Sequence, residues 1–259
     1  MKNSFLIIFI IFYQILFFNK VVAKEIQFDA SDIEISNDQN LTIANNGIAI
    51  IKDDGLVIKG AKIKYFKDKL LIVVNEGEIS KIDKTLKINS NSIEYYIDDG
   101  KINFSNKVKI NDYVNNLIIK TKNIKYDIIN QLIIGQENTE ILDEFDNIYK
   151  VNEFEYSFKD KIIKLKNAKV IDKNENTFDT ELAFLDLSKK ELLAKDVGLN
   201  FKISDNSENE PRLKGRSLVN DEKNTIVKKG TFTFCKKREK CPPWEMSAEE
   251  IKHDKKKKT

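Results

Sequence analysis

The chain has 259 residues, one third of them charged yet with a formal net charge of only +3, and 41% of them hydrophobic. Near-neutrality gives no electrostatic reason to expect a nucleic-acid or polyanion partner. One histidine and two cysteines exclude histidine-pair metal centres and a disulfide-built framework.

At the N-terminus a short basic end is followed by an apolar run over residues 5–18, broken only by Gln14, with Val21, Val22 and Ala23 behind it. This is the layout of a secretory signal peptide spanning residues 1–23, cleaved after Ala23 so that the mature chain begins at Lys24. Loss of Lys2 and Lys20 with it brings the formal charge to +1. A membrane anchor is the other reading, but fourteen residues at about 1.5 Å each cover roughly 21 Å of a ~30 Å hydrocarbon core. Later apolar segments, such as 70–74 and 128–134, are of strand length, and the exported chain is expected to be soluble.

From residue 30 onward the sequence repeats. An apolar-x-aromatic pair recurs as Ile63/Tyr65, Ile93/Tyr95, Ile124/Tyr126, Phe154/Tyr156 and Leu182/Phe184, in steps of 30, 31, 30 and 28 residues, and Ile33/Ile35 stands one step earlier. Polar turns follow, among them Asp98-Asp99-Gly100 and Ser188-Lys189-Lys190, and an apolar strand resumes at Leu71, Ile102, Leu132, Ile162 and Leu192. Each unit reads as a β-hairpin plus further strand. Within the units the period is two: Ile102, Phe104, Val108 and Ile110 oppose Asn103, Ser105, Lys107 and Lys109, and Ala61/Ile63/Tyr65 oppose Lys62/Lys64. Helical periodicity is absent, with residues 248–251 as the one exception. Strands are expected again over 213–218 and 225–234, after a solvated loop at 204–212. The lysines at 255–258 read as a solvated tail.

Hairpins with one apolar face must stack or close on one another. The expected fold is all-β: an elongated, open jelly roll or sandwich with its apolar row turned inward. A parallel β-helix is the rival, disfavoured by nine glycines and weak identity between copies.

Catalytic constellations are hard to assemble. His253 stands alone, no Gly-rich phosphate loop exists, and the carboxylates fall mostly on the polar parity of strands, where solvation is their ordinary role. No catalytic residue, metal site or cofactor is assigned. Cys235 and Cys241, with His253, are too few for a structural zinc site. In an oxidising compartment a disulfide is more natural, either between the two or from each to another part of the protein. The interior row is then the informative feature. It is either a dry core or an acyl-chain groove lined by Ile63, Tyr65, Ile93, Tyr95, Phe104, Ile124, Tyr126, Phe154 and Tyr156, where burial is worth about 0.8 kcal/mol per methylene.

The repeated hairpins, with starts such as Ala30-Ser31-Asp32-Ile33 and Ala61-Lys62-Ile63, resemble the OstA-type domain shared by LptA, LptC and LptD of the lipopolysaccharide (LPS) export bridge, over roughly residues 26–230. The stretch Gly230-Thr231-Phe232-Thr233-Phe234-Cys235, then Cys241-Pro242-Pro243-Trp244-Glu245-Met246-Ser247-Ala248 and Ile251-Lys252-His253-Asp254, resembles the LptD segment that joins the periplasmic domain to its barrel. That resemblance implies a domain at 24–230, a junction at 231–259, and a non-enzymatic role. LPS would be taken from an LptA-like partner by strand-edge pairing, its lipid A chains held inside the sandwich and passed toward the outer leaflet. It also implies residence in the periplasm or at the outer membrane, disulfides at Cys235 and Cys241, and as further partners an LptE-like plug and a barrel. The sequence stops at Thr259, where the family continues into barrel strands, so a fragment, a split product or a free-standing LptA-like bridge protein are all compatible readings. A third reading, an exported β-helical polysaccharide lyase or adhesin, predicts acids or arginines at repeat spacing on one outer face, and none are seen.

Overall fold

The computed structural model describes residues 24–202, 211–235 and 244–257. The expected signal peptide, residues 1–23, and Cys241 lie outside the described residues.

Fifteen strands follow in chain order: β1 (Ile26–Ile35), β2 (Leu41–Ile51), β3 (Leu56–Phe66), β4 (Leu71–Lys81) and β5 (Leu86–Tyr96). Then come β6 (Lys101–Asp112), β7 (Leu117–Asp127), β8 (Leu132–Leu142), β9 (Ile148–Ser157) and β10 (Ile162–Ile171). The last five are β11 (Thr177–Asp186), β12 (Glu191–Asn200), β13 (Arg212–Asn220), β14 (Asn224–Thr233) and β15 (Met246–Asp254). Each pairs antiparallel with its chain neighbours in one sheet ordered β1 to β15, so β1 and β15 are its two edges. The expected all-β fold is therefore present, with one difference in construction. The sandwich is made by a single sheet, and every strand contributes to both walls.

The reason lies at the strand midpoints. Asn46, Glu76, Asn106, Lys107, Glu137, Asn138, Asn167, Asp196 and Lys229 all have positive φ, close to the thirty-residue period of the repeat. Asparagine tolerates this conformation better than most residues, which suits four of the nine sites. The ladder skips at these points, for example between Ser105 and Val108 of β6 and between Gln136 and Thr139 of β8. Such bulges bend the strand and shift which side chains face inward. In β9 the buried row runs Tyr149, Val151, then Phe154, Tyr156, changing parity across the bend.

The bends bring the turns at the two ends of the strands together. Lys24 bonds Asp54 of the β2–β3 turn at 2.7 Å and the Ile97 carbonyl of the β5–β6 turn at 3.1 Å. Tyr156, at the end of β9, meets Asp112 and Asn115 at the end of β6. One long sheet thus folds lengthwise around one apolar interior.

Three local expectations are corrected. Leu182/Phe184 is out of phase with the other copies: Phe184 is 38% exposed, while Ala183 and Leu185 face inward. Pairing pauses between Thr180 and Leu182 without a shift of register, and the inward row passes there from Phe178 and Thr180 to Ala183 and Leu185. Ala61 likewise turns outward at its bend, and Gly60 takes the inner position. Residues 248–251 belong to β15, because their backbone completes the ladder of β14.

Candidate functional site: the interior and its mouth

The nine residues expected to line the groove are brought together by register. One row across the sheet runs Ile63, Val74, Ile93, Phe104, Ile124, Gly135, Phe154 and Leu165, each the direct partner of the next. The parallel row runs Tyr65, Ile72, Tyr95, Ile102, Tyr126, Ile133, Tyr156 and Ile163. Tyrosines thus alternate with isoleucines strand by strand. This stacked pairing follows from a repeat length matched to two strands plus two turns.

Eight of the nine side chains are almost without contact with water, from 0% for Ile63 and Tyr95 to 3% for Ile124. Tyr65 is the exception and is only half-buried. In the middle of the molecule the rows form a filled core.

The tyrosine hydroxyls define the polar edge of this core. Tyr95 donates to Asp54 and Tyr156 donates to Asp112. The Asp112 carboxylate also accepts the backbone N–H groups of Val114 and Asn115 at 2.9 and 3.0 Å. Burial, then the adjacent carboxylate, pushes both phenols far above their ordinary range, so both hydroxyls remain donors. Tyr126 is pushed up to about 12, mainly by burial, and its ring lies 5.9 Å from Phe158. These aspartates were missed by reading acids as solvated. Asp112 nevertheless sits on the inward parity of β6 with Ile102, Phe104, Val108 and Ile110, which was the available signal.

At the β1 end the interior opens. The inner row emerges there as Ile33 and Ile35, which pair with Ala44 and Thr42 and are 44% and 62% exposed. A cavity of about 670 Å³ lies beside them, lined by Ile26, Phe28, Ile35 and Tyr65 with Lys24, Lys67, Ser36, Asn37, Gln39 and Thr42 around it. Its lining mixes apolar side chains with polar and cationic ones, the combination that an amphipathic ligand requires. Phe28 and Tyr65 face one another at 6.2 Å. Sequence patterning had not singled out Phe28 or Ile26, because only their place beside the open edge makes them accessible.

The residues of the junction-like motif also gather. Thr233 Oγ1 donates to the Trp244 carbonyl at 2.8 Å, the Phe232 and Trp244 rings lie 6.4 Å apart, and Cys235 is buried beside them. Cys241, the other cysteine of the expected disulfides, is outside the described residues. His253 is in β15 opposite Thr225. Among the described residues no group of three or more His, Cys, Asp or Glu side chains could hold a metal, and no helix is long and apolar enough to cross a membrane.

No family model matches the chain, and no curated protein matches it. Among solved structures it is similar to the crystal structure of LptH, described as the LptA homologous periplasmic component of the conserved lipopolysaccharide transport device from Pseudomonas aeruginosa. That similarity has a TM-score of 0.39 and 13% identity, and covers 44% of this chain and 82% of that one. At this level of similarity the fold assignment rests on the strand order and register of the chain itself.

Proposed function

We propose that this protein is an exported, non-enzymatic carrier of lipopolysaccharide that works in the periplasm and hands its cargo toward the outer membrane. The observation that carries this reading is the mouth at β1, where an inner apolar row continuous with the core ends in exposed Ile35 at a cavity that Ile26, Phe28 and Tyr65 also line. Acyl chains would take up this surface first and then part the two walls. At about 0.8 kcal/mol per buried methylene, one chain of ordinary length supplies a substantial driving force. Lys67, which lines the same cavity, would face the phosphorylated headgroup.

Among the described residues β1 and β15 have no strand partner on their outer sides, and such edges suit recognition by strand addition to an LptA-like partner. Within this reading a free-standing bridge component and a domain leading into a barrel are two forms. Residues 246–254, which the LptD resemblance assigns to the junction, form the fifteenth strand of the same sheet. A barrel and an LptE-like plug belong only to the second form. The Cys235–Cys241 disulfide is likewise a proposal, tested by peptide mapping of exported protein under non-reducing conditions.

Photo-crosslinking amino acids at Phe28, Ile35 and Tyr126 should capture LPS in cells, with Phe28 and Ile35 the stronger. Capture confined to outward positions such as Lys125 and Glu155 would reject the interior as the lipid site.

A further inference from the structure

The interior is closed along its side, and that closure differs in kind from the rest of the fold. Neighbouring strands are joined by backbone ladders, and the turns along each rim are stitched to one another by backbone bonds. Ile97 donates to Leu70 and Ile128 to Gly100 on one rim, Ile82 to Gly55 and Tyr113 to Thr85 on the other. The two rims therefore behave as two preformed lips. Where the lips meet, the bonds among the described residues run through side chains. One clasp joins Asp54 to Tyr95 and Lys24, the latter reaching on to the Ile97 carbonyl. A second joins Tyr156 to Asp112 and to Asn115, whose amide lies 2.8 Å from the phenol oxygen. On the exposed side of the seam Lys190 bonds Glu144 at 2.8 Å.

Several turns near these clasps carry an exposed apolar residue among polar ones. Ile82, Tyr113, Val114, Ile129 and Phe145 are all between 40% and 72% exposed. Single exposed apolar residues are ordinary, but five on turns flanking one seam mark a contact surface. Opposite the seam run the left-handed mid-strand residues, the line about which the walls would turn.

The geometry points to a side gate: the two tyrosine–aspartate clasps hold the lips together, and their release admits acyl chains to the interior along the seam, in addition to the mouth at β1. The apolar turn residues receive the chains before they pass inward. Opening of this kind leaves the strand ladders intact; it breaks these side-chain bonds and parts the apolar contacts that lip residues such as Ile128 and Phe158 make with the core, a local opening of a folded protein. This inference rests on the lipid-carrying reading, and the test separates the two.

The mature chain is prepared with Cys235→Ser and Cys241→Ser, and the seam is tied by a short bismaleimide between Glu144→Cys and Lys190→Cys. Uptake of cis-parinaric acid and of purified LPS is followed by fluorescence. Tyr95→Phe with Tyr156→Phe removes a carboxylate-bound hydroxyl from each clasp and should speed uptake roughly tenfold or more. The tie should slow uptake several-fold and suppress that gain. Equal uptake by tied and untied protein, or a Tyr→Phe gain that survives the tie and so reflects general loosening, overturns the gate and leaves the carrier reading intact. Failure of every form, the parent included, to take up either probe rejects the carrier reading. In that event spin labels at positions 144 and 190 still decide the clasp: a distance distribution unchanged by the Tyr→Phe pair overturns it, and a broadened one supports it.

Discussion

Gly135→Ala tests whether the interior is as tightly packed as the two registered rows imply. Gly135 lies in β8 between its partners Ile124 and Phe154. A Cβ built there would sit 2.1 Å from Phe154 Cε1, 2.8 Å from Cζ and 2.9 Å from Cδ1. Carbon atoms rest at about 3.5–4.0 Å, so the ring would have to withdraw by roughly 1.4 Å or more. Phe154 is 1% exposed, packed within the core cluster into which it would have to withdraw. Overpacking of this kind costs about 1–3 kcal/mol, offset by at most ~1 kcal/mol from the lower entropy loss of alanine in a strand. For a domain of this size each kcal/mol corresponds to roughly 2–4 °C in Tm. The assay is urea unfolding of Gly135→Ala, Phe154→Leu and the double variant. Shortening the ring should relieve the clash, so the two losses should fail to add by about 1 kcal/mol or more. A single variant as stable as the parent, or two strictly additive losses, would refute the packing argument.

Further outcomes follow from the bends and turns. Lys107, at φ 58° beside Asn106 at 65°, carries a side chain in the left-handed region. Lys107→Gly should therefore raise stability by up to about 1 kcal/mol, and Lys107→Ile should lower it, both read from the urea midpoint; the reverse order would remove the bulge as the cause of the bend. Asp127 accepts the backbone N–H and then the side-chain amide of Asn130, which hold its carboxyl below the usual 3.8. A depressed folded-state value means that the charged form contributes stability in full above about pH 4, and that this contribution drains as pH falls through the lower folded value. Asp127→Asn should be less stable than the parent at pH 7, with the gap closing below pH 4 in urea titrations. A gap independent of pH would contradict that assignment.

The sequence by itself determined the strands, the thirty-residue period, the turns and most of the apolar face. These are local properties: alternation marks a strand with one buried side, and polar turns of similar length recur between copies. Ile63, Ile93, Tyr95, Phe104, Ile124, Tyr126, Phe154 and Tyr156 were all legible as inward, and register places them in two rows. Phe184 was misplaced because the inward row changes parity across the bend of β11, from Phe178 and Thr180 to Ala183 and Leu185, and a residue as small as Ala183 does not mark the inner position by its hydrophobicity.

Only the tertiary structure decided that one sheet makes both walls, that Asp54 and Asp112 meet tyrosines rather than water, and that Ile26 and Phe28 border an opening. Each of these depends on which distant turns the bends bring together. A carboxylate in a turn has the same local sequence whether it faces solvent or a phenol forty residues away, and the strand at an edge has the same alternation as one inside. The sum of the bends across fifteen strands sets where the seam and the mouth fall, and that sum exists only once the sheet has closed on itself.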